Sequence, residues 1–166
     1  MIDNTASLLA PDPSDPDDQP DAGTPFLDDY LLFLLASVSQ AASEEFHAMV
    51  RARGLRVPEW RVLACLYDRD GQMVTRVAQL SMIEQSRLTR IVDQMQDRGL
   101  VERRSDMADR RRVRLFLTAQ GAALATEMVG LAKAHEAAFL DRLPVRLGRD
   151  MKARIKDLYT RICPGD

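Results

Sequence analysis

Apolar residues recur at helical spacing along most of the chain. Between Leu27 and Arg53 they lie three or four positions apart, and neither Pro nor Gly interrupts the pattern. The stretch "YLLFLLASV" at 30–38 widens the apolar face beyond a single stripe. Since a helix that is apolar on more than one side is buried on more than one side, we predict a helix over 27–53 that contacts both a core and a second subunit.

The second half of the chain predicts two more long helices. Thr118 is expected to cap a helix over 119–142, and Pro144 separates it from a last helix that ends at about Arg161. Apolar residues in that last helix again repeat every three or four positions. We therefore pair the two terminal helical regions with each other and with a second copy of the chain.

The centre of the chain predicts a short helix followed closely by a longer one. Pro58 suits the first turn of the helix before them. "VTRVAQLSM" predicts a helix over 74–81, with Thr75 as its N-cap and Leu80 facing inward. After the tight junction "SMI", a helix is predicted over 84–98. Its inward positions follow i, i+3, i+4, i+7 spacing: Leu88, Ile91, Val92 and Met95. In this arrangement the second helix can enter the major groove of DNA.

After Gly99, which suits the end of that helix, the period of the pattern changes from 3.6 to 2. "LVERR" and "RVRLFLT" alternate around the turn "SDMAD", which predicts a β-hairpin. One face of the second strand is apolar and is predicted to face inward: Val113, Leu115 and Leu117. The other face carries Arg112, Arg114 and Phe116, and Arg110 and Arg111 lie at the tip.

Charge is distributed very unevenly along the chain. The formal net charge is −2, yet residues 1–30 contain eight Asp and no Lys or Arg. Residues 31–166 therefore hold 17 acids and 23 bases, a formal charge of +6. We predict that residues 1–25 form a disordered acidic leader, either a solvated segment or a mimic of nucleic acid that competes for the basic body.

The predicted helix over 84–98 leaves a polar face with few acids near its N-terminal half. That face carries side chains that can donate hydrogen bonds to bases and phosphates: Gln85, Ser86, Arg87, Thr89 and Arg90. The free N–H groups at the start of such a helix favour a phosphate. A solvated amphipathic helix is the alternative interpretation of this segment alone.

The hairpin favours the DNA-binding interpretation. It concentrates four long, permanently charged side chains, those of Arg110, Arg111, Arg112 and Arg114, and a guanidinium at the hairpin tip suits a narrow minor groove. Asp106 and Asp109 are predicted to hold the turn or to pair with an Arg. Charge that protects an edge strand from aggregation explains one or two of these arginines, but not all of them.

The stretch "LTRIVDQMQDRGLVERRSDMADRRRVRLFLTAQG" resembles the recognition helix and wing of the MarR family of winged-helix transcriptional regulators. The resemblance extends over roughly 27–162. It implies a homodimer, a palindromic double-stranded DNA operator and a small, frequently aromatic effector. It also implies major-groove contacts from Ser86, Arg87, Thr89 and Arg90, a minor-groove contact from Arg110 or Arg111, and an orienting role for Asp109.

The predicted fold is mainly α with a small β-hairpin wing. A winged helix-turn-helix lobe is expected over 56–118, with a helical dimerisation region over 26–55 and 119–163. The expected function is that of a DNA-binding regulator, as a repressor, with no cofactor, no catalytic site and no metal. No signal segment or membrane span is evident in the sequence, and a reducing cytoplasm is the expected location.

Several other residues extend or compete with this interpretation. The only Trp, Trp60, lies at the junction where the family resemblance places an effector pocket, and with His47 and Arg51 it could bind an aromatic acid. Cys65 and Cys163 leave open a thiol-based redox-sensing regulator. A winged-helix module that binds protein and not DNA is the second alternative.

Overall fold

Helices form most of the part of the chain that can be described. The computed structural model describes residues 25–107, 109 and 112–163, apart from the side chains at positions 145 and 149. The predicted leader over 1–25 thus lies almost wholly outside the described residues, as do Arg110 and Arg111. The elements within the described residues are α1 (Phe26–Asp29), α2 (Leu31–Ala52), α3 (Val57–Asp68), β1 (Gln72–Met73), α4 (Val74–Ser81), α5 (Gln85–Asp97), β2 (Val101–Ser105), β3 (Val113–Leu117), α6 (Ala119–Asp141) and α7 (Val145–Ile162).

The chain divides into two units after Ala41. The described part of the first unit contains α1 and the first turns of α2, whose apolar side chains are exposed. The prediction of one continuous helix over 27–53 is wrong, because Tyr30 adopts an extended backbone conformation that separates α1 from α2. Its ring stacks on Phe26 with the ring centroids 4.8 Å apart. The spacing of apolar residues in the sequence does not show where the backbone dihedral angles of a single residue change.

The second unit has one apolar core, to which every one of its helices except α7 contributes buried residues. At its centre α3 contacts α4, α5, α6 and β3. The fully buried apolar side chains include Val50, Val62, Leu63, Leu66, Val77, Leu88, Val92, Met95, Leu115 and Met128. The predicted inward positions of α5 are all confirmed. None of the helices in the described part of the chain has the length and apolar composition that a membrane span requires.

The three strands form an antiparallel sheet in the order β1-β3-β2. The predicted hairpin is confirmed: β2 and β3 pair from Val101 opposite Leu117 to Ser105 opposite Val113. The two-residue strand β1 adds Gln72 opposite Leu115 and was not predicted, since two residues are too few to show alternation. The small sheet ties the segment before α4 to the wing.

The helix-turn-helix consists of α4 and α5. The predicted N-cap Thr75 is wrong: Met73 occupies the N-cap position of α4, without a capping hydrogen bond from its side chain, because the extended backbone of β1 ends there. Leu80 is also not inward, since the buried side of α4 passes through Val77, Ala78 and Ser81. Met82 then takes a left-handed conformation, with φ of 54°, and turns the chain toward α5.

The wing joins α6 through a tight contact. Thr118 caps α6 as predicted: its hydroxyl oxygen accepts the Gly121 N–H at 3.0 Å and donates to the Gly99 carbonyl at 2.6 Å. A Cβ on Gly121 would lie only 1.9 Å from the Leu100 carbonyl oxygen. The first turn of α6 therefore packs directly against the backbone that leads into β2.

Candidate nucleic-acid interface

One face of α5 is polar and open to solvent along its first turns. The apolar side of the helix is buried, and the structure brings the five residues predicted from the sequence to the opposite, exposed side: Gln85, Ser86, Arg87, Thr89 and Arg90. The helix is thus oriented by its core residues so that these side chains face outward together.

Glu84 occupies the N-terminus of α5. Its carboxylate accepts the backbone N–H groups of Ser86 at 2.9 Å and Arg87 at 3.1 Å, and it accepts the Ser86 hydroxyl as well. These hydrogen bonds from Ser86 and Arg87 hold the pKa of the Glu84 carboxyl below its ordinary value. The expectation of free N–H groups at this helix start is wrong, because Glu84 already satisfies two of them.

Arg87 and Arg90 carry the positive charge of this face. Within the described residues neither guanidinium makes a hydrogen bond or an ion pair, although the charge of Arg90 acts on Glu84. Thr89, by contrast, donates its hydroxyl to the Gln85 carbonyl at 3.1 Å. The two guanidiniums therefore have donors, unused within the described residues, that could bind an anion or a base edge.

Arg103 fastens the wing to α5. Its guanidinium donates to the Thr89 carbonyl at 3.1 Å and forms an ion pair with Asp93, both on α5. Sequence analysis did not single out this side chain, since the contact depends on how the hairpin lies against the helix. Arg103 keeps the exposed face of α5 and the wing in a fixed relation.

The turn at the wing tip is organised by two aspartates. Asp106 accepts the Asp109 N–H at 3.1 Å and pairs with Arg114, which also donates to the Gly71 carbonyl at 2.9 Å. Asp109 pairs with Arg112 at 3.3 Å. The carboxylates therefore order both the turn and two of its arginines.

Two arginines of the wing are engaged by other groups of the protein. Arg114 is held within the hairpin by Asp106 and Gly71, and Arg104 lies over the Phe116 ring, 4.4 Å from its centroid, while pairing with Glu102. The remaining members of the predicted cluster are Arg112, which is exposed, and Arg110 and Arg111, which lie outside the described residues.

Known proteins match this chain in sequence and in fold. The sequence model of the MarR family matches residues 55–113. The structure of a MarR family transcriptional regulator from Silicibacter pomeroyi is 51% identical, with a TM-score of 0.77 over 84% of this chain and 99% of that one. The chain belongs to the MarR family of transcriptional regulators. The family resemblance and the winged-helix fold predicted from the sequence are thereby confirmed.

More distant MarR-type proteins match as well. The transcriptional regulator TtmR of Methylorubrum extorquens is 26% identical over 61% of this chain, and the match spans about half of that protein, 52% of its length. A MarR family protein of Mycobacterium tuberculosis, solved in complex with salicylic acid, is 26% identical with a TM-score of 0.64, over 77% of this chain and 95% of that one.

The residues predicted to bind an effector in this MarR-family chain do not converge on one described cavity. Trp60 packs edge-on against Phe46 with ring centroids 5.4 Å apart, and it lines an open cavity of about 560 Å³ with Arg61 and Cys65. Neither His47 nor Arg51 lines that cavity, and Arg51 pairs with Glu44 at 3.0 Å. The assignment of His47 and Arg51 stays a prediction.

A second histidine, His135, lies beside this region. Its ring centroid is 5.7 Å from that of Phe46, and both line a cavity of about 210 Å³. Its Nε2 atom is buried without a hydrogen-bond partner in the part of the chain that the structure describes, 3.8 Å from Glu45. A single His in an apolar pattern gives no sequence signal for such a contact.

The two cysteines differ in environment. Cys65 is half-buried, and burial together with the negative charge of Asp68 raises the pKa of its thiol. A raised pKa disfavours the thiolate that peroxide sensing requires. Cys163 is exposed at the end of α7. No group of three His, Cys, Asp or Glu residues that could hold a metal ion occurs among the described residues.

Proposed function

We propose that this MarR-family regulator is a homodimeric repressor that binds a palindromic operator, and that α5 reads bases in the major groove. The observation that carries the proposal is the exposed face of α5, on which Arg87 and Arg90 are unengaged by described protein groups. Arginine can bind guanine through two hydrogen bonds in that groove. Gln85, Ser86 and Thr89 supply shorter polar contacts beside them.

In this proposal the wing binds the adjacent minor groove. Arg112, oriented by Asp109, would act together with Arg110 and Arg111, while Arg103 fixes the wing relative to α5. The proposed contacts with DNA are therefore of two kinds. The wing supplies charge to phosphates and the groove, and α5 supplies sequence preference.

We further propose that segments 26–55 and 119–163 form the dimerisation region and 56–118 the DNA-binding lobe. Large apolar side chains are exposed on the first turns of α2 and on α7, including Leu31, Leu32, Val38, Leu147, Ile155 and Ile162. Exposed large apolar side chains in such number, on each of the two helices, are typical of a protein interface.

Dimerisation has a direct test. Light scattering at micromolar concentration is expected to give the mass of two chains of 18.7 kDa. A Leu31→Glu change is expected to shift the mass toward one chain, because it places a charge on the apolar face. An exposed control in the proposed DNA-binding lobe, Arg69→Glu, is expected to leave the mass unchanged. A monomeric wild type with full helicity would contradict the proposal.

DNA binding is tested by anisotropy titration of fragments selected from the source genome and of a random duplex. Tight binding to a subset of fragments is expected, with affinity that falls steeply as salt rises because phosphate contacts release counterions. Absence of binding to every duplex at low salt would favour the alternative of a winged-helix module that binds protein.

An aromatic acid is the proposed effector class. Trp60 offers an aromatic ring, and Arg61 offers a cation at the same cavity. The related Mycobacterium tuberculosis protein was solved with salicylic acid. In the same titrations salicylate is expected to lower the bound fraction and to quench the fluorescence of Trp60. Unchanged binding and fluorescence at millimolar salicylate would count against this ligand class.

A further inference from the structure

Glu59 is a charged side chain enclosed by the protein. It lies in the first turn of α3 and is only 1% exposed. Its Oε2 atom accepts the backbone N–H of Arg56 at 2.7 Å. Its Oε1 atom accepts the guanidinium of Arg56 at 2.9 Å and that of Arg98 at 3.0 Å. Both oxygens of one buried carboxylate are therefore committed to named donors.

These donors come from two different parts of the lobe, and one of them, Arg98, also reaches the turn that follows α2. Arg98 is the residue that ends α5, and it also donates to the Gly54 carbonyl at 2.9 Å, in the turn that follows α2. Arg56 precedes α3 and donates to Gln94 on α5. The carboxylate of Glu59 thus joins the end of α2, the start of α3 and the C-terminal end of α5.

The charge of Glu59 is what makes this junction directional. Burial disfavours the ionised carboxyl, but the hydrogen bonds and charges from Arg56 and Arg98 outweigh it and hold the pKa of Glu59 below its ordinary value. Apolar packing under α5 has no preferred direction, whereas charge-assisted hydrogen bonds hold a fixed distance and angle. The junction therefore adds a directional restraint at the C-terminal end of α5 to the apolar packing along its buried side.

We infer that Glu59, on α3, is a positioning residue for the base-reading face of α5. Glu59 contacts the C-terminal end of α5 through Arg98, whereas the base-reading face lies at the N-terminal end. The inference rests on the proposed function. The 13 residues of α5 span about 20 Å, so a tilt of about 5° at Arg98 displaces the other end by nearly 2 Å. Hydrogen bonds to base edges do not tolerate such a shift.

The test compares Glu59→Gln, Arg98→Lys and a control, Arg53→Lys. Gln keeps the shape of Glu59 without its charge, and Lys at 98 keeps the charge without the fork that reaches both Glu59 and Gly54. Arg53 lies in the same turn region but pairs with Glu127 at 2.8 Å, outside the junction. For each protein, affinity for an operator fragment and for a random duplex is measured, together with the melting temperature.

Glu59→Gln and Arg98→Lys are each expected to reduce the ratio of operator to random affinity about tenfold, the effect of one weakened base contact. Random-duplex affinity should stay within about twofold, since the phosphate-binding charges remain. The double variant should lose no more than the worse single variant, because both break one junction. Arg53→Lys should keep the wild-type ratio.

The outcomes separate the inference from the proposed function. A wild-type protein without any preference among duplexes overturns both. A wild-type preference that survives unchanged in folded Glu59→Gln and Arg98→Lys overturns the positioning role alone. Equal losses on operator and random DNA, in step with melting temperature, would show a structural role only and would also overturn it.

Discussion

Gly121→Ala is expected to destabilise the protein by about 3 kcal/mol, at the upper end of the usual cost of overpacking. The added Cβ would lie 1.9 Å from the Leu100 carbonyl oxygen and 2.9 Å from its carbonyl carbon. Both are backbone atoms of a residue that is 2% exposed. No side chain can move aside to relieve the overlap, so α6 and the start of β2 must separate.

A second glycine of the same helix supplies the control. Apart from its chain neighbours and the nearby backbone of its own helix, no described heavy atom lies within 4 Å of where a Cβ on Gly130 would stand. Gly130→Ala is therefore expected to stabilise the protein by up to about 1 kcal/mol through helix propensity alone. Urea unfolding followed by circular dichroism measures both changes. A loss below about 1 kcal/mol for Gly121→Ala, the lower end of overpacking costs, would show that the contact relaxes easily.

Gly121 also illustrates what the sequence could and could not provide. "TAQG" was informative as part of a family pattern, and Thr118 was predictable as a cap because its position before an apolar-periodic segment has a known physical meaning. The reason for Gly121 was not accessible, because it lies in a contact with Leu100 across 21 residues. Non-local backbone contacts leave no periodic signal.

Long apolar patterns predicted their helices well, whereas helix ends followed local geometry. The bounds of α4 were predicted as 74–81 and are confirmed, but its N-cap position is occupied by Met73 because β1 ends there. Glu84 caps α5 although Ser, Thr, Asp and Asn are the residues usually preferred at that position. The residue that caps a helix is the one whose side chain can reach the free N–H groups, and the spacing of residues in the sequence does not determine this.

The candidate site was predictable where one element determined it. The exposed face of α5 followed from the period of its buried residues, so its five polar side chains were placed correctly on one surface. The wing required tertiary information. Arg114 alternates with inward residues, yet Asp106 and the Gly71 carbonyl hold it within the hairpin. Strand alternation gives the side of the sheet but not the partner found there.

Arg87→Ala and Arg90→Ala are expected to weaken operator binding far more than binding to random DNA. Each loses about 1–3 kcal/mol on the operator if its guanidinium binds one guanine through two hydrogen bonds. Wing variants should behave differently. Arg110→Ala, Arg111→Ala and Arg112→Ala should weaken operator and random binding together, and each should reduce the slope of log affinity against log salt by about 1.

The contrast between α5 and the wing is the decisive measurement. Titrations at four salt concentrations, with an operator fragment and a scrambled duplex of the same composition, give affinity, preference and salt slope for each variant. Lys133→Ala, which removes an exposed positive charge from α6, controls for the loss of charge alone. If all the arginine variants lose operator and scrambled binding equally, α5 contributes only charge, and the source of sequence preference must be sought elsewhere in the lobe. If only the wing variants lose preference, the roles assigned to the two elements are reversed. A preference lost in Arg87→Ala or Arg90→Ala and kept in the wing variants is expected, because base edges carry sequence information and phosphates do not.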